Sequence, residues 1–226
     1  LPAPRRLAAP RSLRRLPEAV APPQGVPESV ERVQGLNLRL VRTDGDYRMW
    51  NELIVREHPL GERPLVGRQV RYLIDSEHGC LGALGFASSA LRLRDRDHWI
   101  GWDDPLRRAY LDRVVCLSRF LIRPAVHCAN LASRVLAMVE ESLSADFERL
   151  YGYRPWLLET FVEQQTHTGA SHQAANWLKV GQTCGRGRQD RSGQGEGPLK
   201  DIYLRVLDPG FRGYMGLAEA PPPAPL

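Results

Sequence analysis

Arg113–Ile122 reads RVVCLSRFLI, Asn130–Leu150 reads NLASRVLAMVEESLSADFERL, and Pro155–Val162 reads PWLLETFV. The first and third are short apolar runs of the kind that form buried strands. Between them Leu131, Val135, Val139, Leu143, Phe147 and Leu150 recur at steps of four and, at the end, three. That spacing predicts one apolar stripe on a helix of about 20 residues, roughly 30 Å long. Asn130 suits its N-cap and Gly152 its stop. A strand, a covering helix and a second strand make a crossover unit, which favours parallel strands with a right-handed connection. The fold class is α/β.

Further out, Gln69–Ile74 and Cys80–Leu91 read as two strands turned at Glu77-His78-Gly79, an antiparallel hairpin. Met49, Trp50, Leu53 and Ile54 share one face of a short helix over Tyr47–Glu57, which stops at His58-Pro59. A short helix near Ser171–Leu178 and strands near Lys179–Cys184 and Asp201–Val206 complete a mixed, partly parallel sheet with a long crossover helix. Residues 1–30 hold seven prolines among small and basic residues and read as an extended, disordered leader. Residues 31–216 form the single α/β domain, and 217–226 a Pro-rich tail. Leu1 in place of Met reads as the start of a trimmed or excised piece.

Hydrophobic residues make up 42% and charged residues 25% of the 226, as in ordinary globular proteins. No run approaches the roughly 20 apolar residues of a membrane span, and no apolar segment follows the basic N-terminus as a secretory signal would require. Cys80, Cys116, Cys128 and Cys184 are scattered, without a CxxC pair, as reduced thiols in a cytoplasmic protein are. The net charge of +5 lies in Arg5, Arg6, Arg11, Arg14 and Arg15. Without those five, 26 basic residues face 26 acidic ones, so the domain itself is neutral and offers no broad basic face.

Gly181–Arg188 (GQTCGRGR) is the most suggestive stretch for chemistry. Its glycines can turn N–H groups toward an anion, and Arg186 and Arg188 add forked donors beside Gly185 and Gly187. The alternative is a glycine loop beside a strand end, and the phosphate-loop pattern GxxxxGK[ST] is absent. Glu159, on the second parallel strand beside Arg119 on the first, can act as a general base, or the two can form a buried internal pair. Trp177 after Asn176 can stack a substrate or plug the core; Trp99 and Trp102 can stack a base or cap a hydrophobic corner. His127-Cys128 are adjacent side chains that do not face one another, and no spacing suggests zinc. Asp103-Asp104-Pro105 reads as a turn or helix cap.

Three segments also resemble a known family. Trp99-Ile100-Gly101-Trp102 follows Arg96-Asp97. Ser118-Arg119-Phe120-Leu121-Ile122 leads through Pro124 to Asn130-Leu131-Ala132-Ser133. Leu158-Glu159-Thr160-Phe161-Val162 runs on to Ala174-Ala175-Asn176-Trp177 and Gly181–Arg188. In order and wording, over roughly Gly67–Tyr203, they resemble the bacterial family that contains the A subunit of the Druantia anti-phage system. Ser171-His172-Gln173 and Leu117-Ser118 depart from its usual wording. The resemblance implies a setting of phage defence and mobile elements, and no established reaction. The element order is also similar to the Gcn-type N-acetyltransferase (GNAT) fold, which implies a cofactor-binding loop before Asn130. That loop, Pro124–Asn130, contains no glycine, so ordinary acetyl-CoA is not expected to bind.

The expected function is an accessory protein of phage defence or mobile elements, working on or beside nucleic acid with other defence or transposition proteins, away from membranes. The alternatives are an acyltransferase-like enzyme with another acyl donor, and a catalytically inactive protein-binding scaffold. No motif names a cofactor.

Overall fold

In the computed structural model, which describes residues 14–61, 63–185 and 198–218, seven strands form one sheet. They are β1 (Asn37–Leu40), β2 (Val70–Ser76), β3 (Gly79–Ser88), β4 (Val114–Ile122), β5 (Leu157–Glu163), β6 (Leu178–Gln182) and β7 (Lys200–Val206). The helices are α1 (Asp44–Glu57), α2 (Arg94–Ile100), α3 (Asp104–Tyr110), α4 (Leu131–Tyr151), α5 (Ala170–Ala174) and α6 (Phe211–Tyr214). Strand order is β1-β2-β3-β4-β5-β7-β6. The β4–β5 pair is parallel, bridged by α4, and the other neighbours run antiparallel. The mixed sheet and its long crossover helix are those expected from the sequence.

Each face of the sheet has its own cover. On one, α4 buries Leu131, Val135, Val139, Leu143 and Phe147 against Tyr72, Phe86, Leu117 and Leu158. Leu150, the last member of the predicted stripe, is exposed, while Leu136 and Asp146 are buried instead. The Asp146 carboxylate accepts the Tyr72 hydroxyl at 2.6 Å, which gives a buried acid a partner. On the other face α1 packs Trp50, Leu53 and Ile54 over Leu73, Ala83 and Leu121. A smaller cluster joins Ile100 and Trp102 to Val114, Leu157 and Phe211.

Local signals explain most boundaries. Thr43 caps α1 in a capping box with Asp46, and Asp103 accepts the Leu106 N–H at the start of α3. Asn130 stands at the N-terminal boundary of α4 in the left-handed conformation and its side chain caps nothing, contrary to the role expected of it. The shift in β3–β4 register opposite Ser118 is a bulge. It reverses side-chain parity, so Val115 and Leu117 on one side of it and Phe120 and Ile122 on the other all join the α4 core, while Arg119 and Leu121 turn toward α1.

The leader differs from expectation over the part that is described. Residues 14–30 lack regular structure up to Val30, yet they are docked. Arg123 donates to the carbonyls of Val20 and Ala21 at 2.9 and 2.6 Å, Asn51 donates to that of Arg14, and Val26 and Val30 pack on the main core. Ala129 exchanges backbone hydrogen bonds with Glu28 and Val30. The folded part therefore begins well before residue 31. Among the described residues no helix is long and apolar enough to cross a membrane.

Candidate functional site

The β4–β5 register ends at Cys116 and Glu159, beyond which Leu117–Ile122 keeps β3 as its partner and Thr160–Glu163 keeps β7. The two parallel strands therefore part toward their C-terminal ends and leave a crevice, the usual place for ligands in such sheets. Thr160 Oγ1 donates to the Leu117 carbonyl at 3.0 Å where the parting starts.

Arg119 lies in the diverging part of β4, only 6% exposed. Its Nη1 donates to the Ser118 carbonyl at 2.7 Å and its Nη2 to the Arg63 carbonyl at 2.5 Å, while the buried Nε has no acceptor. Burial depresses its pKa, the Arg63 charge depresses it further, and Cys116 opposes them. No carboxylate pairs with it among the described residues. On the same side His58, at the end of α1, is pushed down to about 4 by burial and by the charges of Arg119 and His167. On the α4 side His172 is likewise pushed down to about 4, chiefly by burial, with His167 adding to the effect. The His172 ring meets Phe120 and Trp177 edge-on and tilts against Tyr203. His167, in the turn after β5, thus acts on an imidazole of each face. At neutral pH His58 and His172 are uncharged, and the crevice carries the positive charge of Arg63 and Arg119.

Glu159 does not meet Arg119. Its Oε2 accepts from Arg96 Nη1 at 2.7 Å and its Oε1 from the Ala90 N–H at 2.8 Å, and neither member of the pair is exposed. Arg96 also donates to the Ala90 carbonyl at 2.8 Å and, through Nε and Nη2, to Asp97 Oδ1. Asp97 further accepts the Trp102 indole N–H at 3.0 Å and the Leu93 N–H. Arg96-Asp97, Trp102 and Glu159, which stand apart in the sequence, are one buried network. Both carboxylate oxygens of Glu159 are occupied inside it, so the geometry gives that residue an ion pair rather than a free base.

The remaining expected residues are dispersed. Trp99 stacks on Phe211 with Arg212 over its ring, and with Trp102 it forms the corner between α2 and α6. Trp177 is buried in the main core, its indole N–H unpartnered. Asn176 is exposed in the left-handed conformation after α5, and its carbonyl accepts from Arg205. Asn130 lies beside Ala129, which residues 28 and 30 already pair. In the glycine stretch Gly181 is needed because a Cβ there would collide with the Asp95 carboxylate, which accepts the Gln182 N–H at 2.9 Å. The Thr183 N–H goes to the Lys200 carbonyl, and Gly185 is buried with φ +73°. Arg186, Gly187 and Arg188 lie outside the described residues. Among the described residues no cluster of three or more His, Cys, Asp or Glu could hold a metal ion.

Sequence reasoning missed His58, His167 and His172, which are spread over three segments with no spacing of their own. Arg63 was equally silent. Arg96 stood inside a quoted segment, but nothing local pointed to Glu159 as its partner.

The family described as Druantia protein DruA matches residues 9–203. No curated protein matches the sequence. Similar solved structures include a spermidine N-acetyltransferase SpeG chimera from Vibrio cholerae and hSSAT, at 12% identity and TM-score 0.48, covering 77% of this chain and 96% of that one. The RimL ribosomal L7/L12 alpha-N-protein acetyltransferase is similar at 12% identity and TM-score 0.44, covering 81% and 98%. An N-acetyltransferase from Staphylococcus aureus Mu50 has 13% identity and TM-score 0.41, covering 62% and 68%.

Proposed function

We propose a function from the premise that this chain belongs to the Druantia protein DruA family: it is an accessory protein of phage defence that works on or beside nucleic acid, meeting it through phosphate. The observation that carries this reading is Arg119, a buried guanidinium without a carboxylate partner among the described residues, in a crevice that also takes the charge of Arg63. A buried cation is costly unless something compensates it, and a bound anion would do so. Arg186 and Arg188 are further phosphate donors in this reading.

Fluorescence anisotropy with labelled single-stranded and duplex DNA over a salt series tests it. The background is the full chain carrying Arg5→Gln, Arg6→Gln, Arg11→Gln and Arg14→Gln, which removes most of the N-terminal charge. Arg63→Ala, and the double variant Arg186→Ala/Arg188→Ala, should each weaken binding similarly across sequences. Each should also lower the salt slope by about one unit per lost phosphate contact. No binding at low salt in that background would sink the reading.

An acyltransferase-like activity is the second reading. It is favoured by the parting of β4 and β5, whose facing edges leave main-chain donors and acceptors for an extended carrier arm. Ordinary acetyl-CoA is a poor fit for that arm, since the loop before α4 has no glycine and Ala129 is paired with residues 28 and 30.

A further inference from the structure

Burying Arg96 and Glu159 together costs desolvation on both, and beyond the contact of Arg96 with Asp97 the two groups converge on one residue. Ala90 gives its N–H to Glu159 and its carbonyl to Arg96. The residues on either side of it, Ser89 and Leu91, line a cavity of about 360 Å³ at the N-terminal end of β4, away from the crevice. That volume lies within the roughly 300–1,000 Å³ of small-molecule sites. Val115 and Phe147 lie beneath it, almost wholly buried, and Leu91, Ala109 and Leu111 supply its accessible apolar surface. Arg68 and Arg108 also line it.

The two arginines are unevenly compensated. Arg68 reaches Asp112 at 3.3 Å and the Tyr153 hydroxyl at 3.2 Å, with its guanidinium 5.0 Å from the Tyr153 ring centre. Arg108 comes only within 3.9 Å of Asp104, a carboxylate that Arg92 and Arg107 approach more closely. Two guanidinium groups against Asp112 leave the cavity net positive. Apolar surface beside that positive charge suits a ligand with a flat apolar body and one anionic group.

We propose that this cavity binds a nucleotide, its base against Leu91 and Leu111 and its phosphate at Arg68 and Arg108. The Arg96–Glu159 pair is then a positioning device that fixes the Ser89–Leu91 wall. The site stands on the cavity alone and does not depend on the crevice.

Isothermal titration of the full chain with each of AMP, GMP, CMP and UMP, and with the matching nucleosides, tests the assignment. At least one nucleotide should bind saturably, its nucleoside about ten-fold or more weaker, since hydrogen bonds to a charged group are worth that factor. Arg108→Ala, at an exposed position, should leave the melting temperature unchanged and weaken the nucleotide to the level of its nucleoside. Arg108→Lys should restore only part of the difference, because lysine cannot offer a fork. No saturable binding into the millimolar range overturns the proposal. So does a nucleoside that binds as well as its nucleotide, or indifference to Arg108→Ala. The probe is a mononucleotide and the variant lies away from Arg63. Failure here therefore leaves oligonucleotide binding at the crevice unaffected, and loss of the latter does not touch this site.

Discussion

Glu159 invites two opposite expectations when it is replaced. A carboxylate kept for chemistry strains its surroundings, and its removal tends to leave stability unchanged or higher. A carboxylate that neutralises a buried arginine does the reverse. With both oxygens occupied and Arg96 wholly buried, Glu159→Gln should destabilise the protein by about 3 kcal/mol, at the low end for a broken buried pair because Asp97 still faces Arg96. Denaturant unfolding monitored by tryptophan fluorescence measures this, and a neutral or stabilising result would return Glu159 to the candidates for catalysis. From the sequence Glu159 could be a general base or the partner of Arg119 in a buried pair; it is a buried partner, but of Arg96. Arg119 was named as the partner because it stands on the neighbouring strand, whereas Arg96 is 63 residues away on a helix too short to announce itself. That Arg119 is a buried cation with no carboxylate partner among the described residues was not legible, and the histidines around it come from the end of α1, the turn after β5 and α5, three segments with no shared spacing.

Among the elements, α4 and the strands it joins were legible because each repeats its signal over many residues. The stripe predicts a contrast that can be measured. Leu143 is fully buried and Glu141 is exposed one half-turn away. Leu143→Ala should cost about 2–5 kcal/mol, and Glu141→Ala less than about 0.5 kcal/mol, by chemical denaturation. Equal small effects would mean that α4 faces the sheet differently. The elements that escaped the sequence were the short ones: β1 with four residues, α2 and α3 with seven each, and α6 with four. None completes enough turns or alternations to show a period: α2, α3 and α6 are placed by the corner of Trp99, Trp102 and Phe211, and β1 by its pairing with β2 and the main core, rather than by local preference. The leader was misread for a different reason. Proline-rich composition reports how little apolar surface a segment can bury, but residues 20 and 21 are held by their carbonyls, which composition does not register.

Across the whole molecule, acid should weaken the fold through its histidines before it does so through its carboxylates. His58 and His172 titrate near 4 when folded and near 6.5 when exposed. As the pH falls below 6.5 the unfolded chain gains protons that the folded one refuses until about 4, so stability is lost across that window. The carboxylates with lowered values, Asp46 and Glu52 among them, give up their contribution only below their ordinary range. The melting temperature should therefore drop by several degrees between pH 7 and pH 4.5, and His172→Gln should flatten that slope. An unchanged slope in the variant would show that the ring is solvated rather than buried. The clasp on the leader bears, finally, on how the molecule is made. Val20 and Ala21 are gripped by a side chain 103 and 102 residues further along, and Glu28 and Val30 by Ala129. A ribosome delivers those docking residues well before Arg123 and Ala129, so this clasp is open when they emerge and only the earlier contacts to α1 and the β2–β3 turn can form. The clasp waits through the synthesis of the 102 or 103 residues between its two halves, and whatever engages the stretch in that interval competes directly with the closing of the domain.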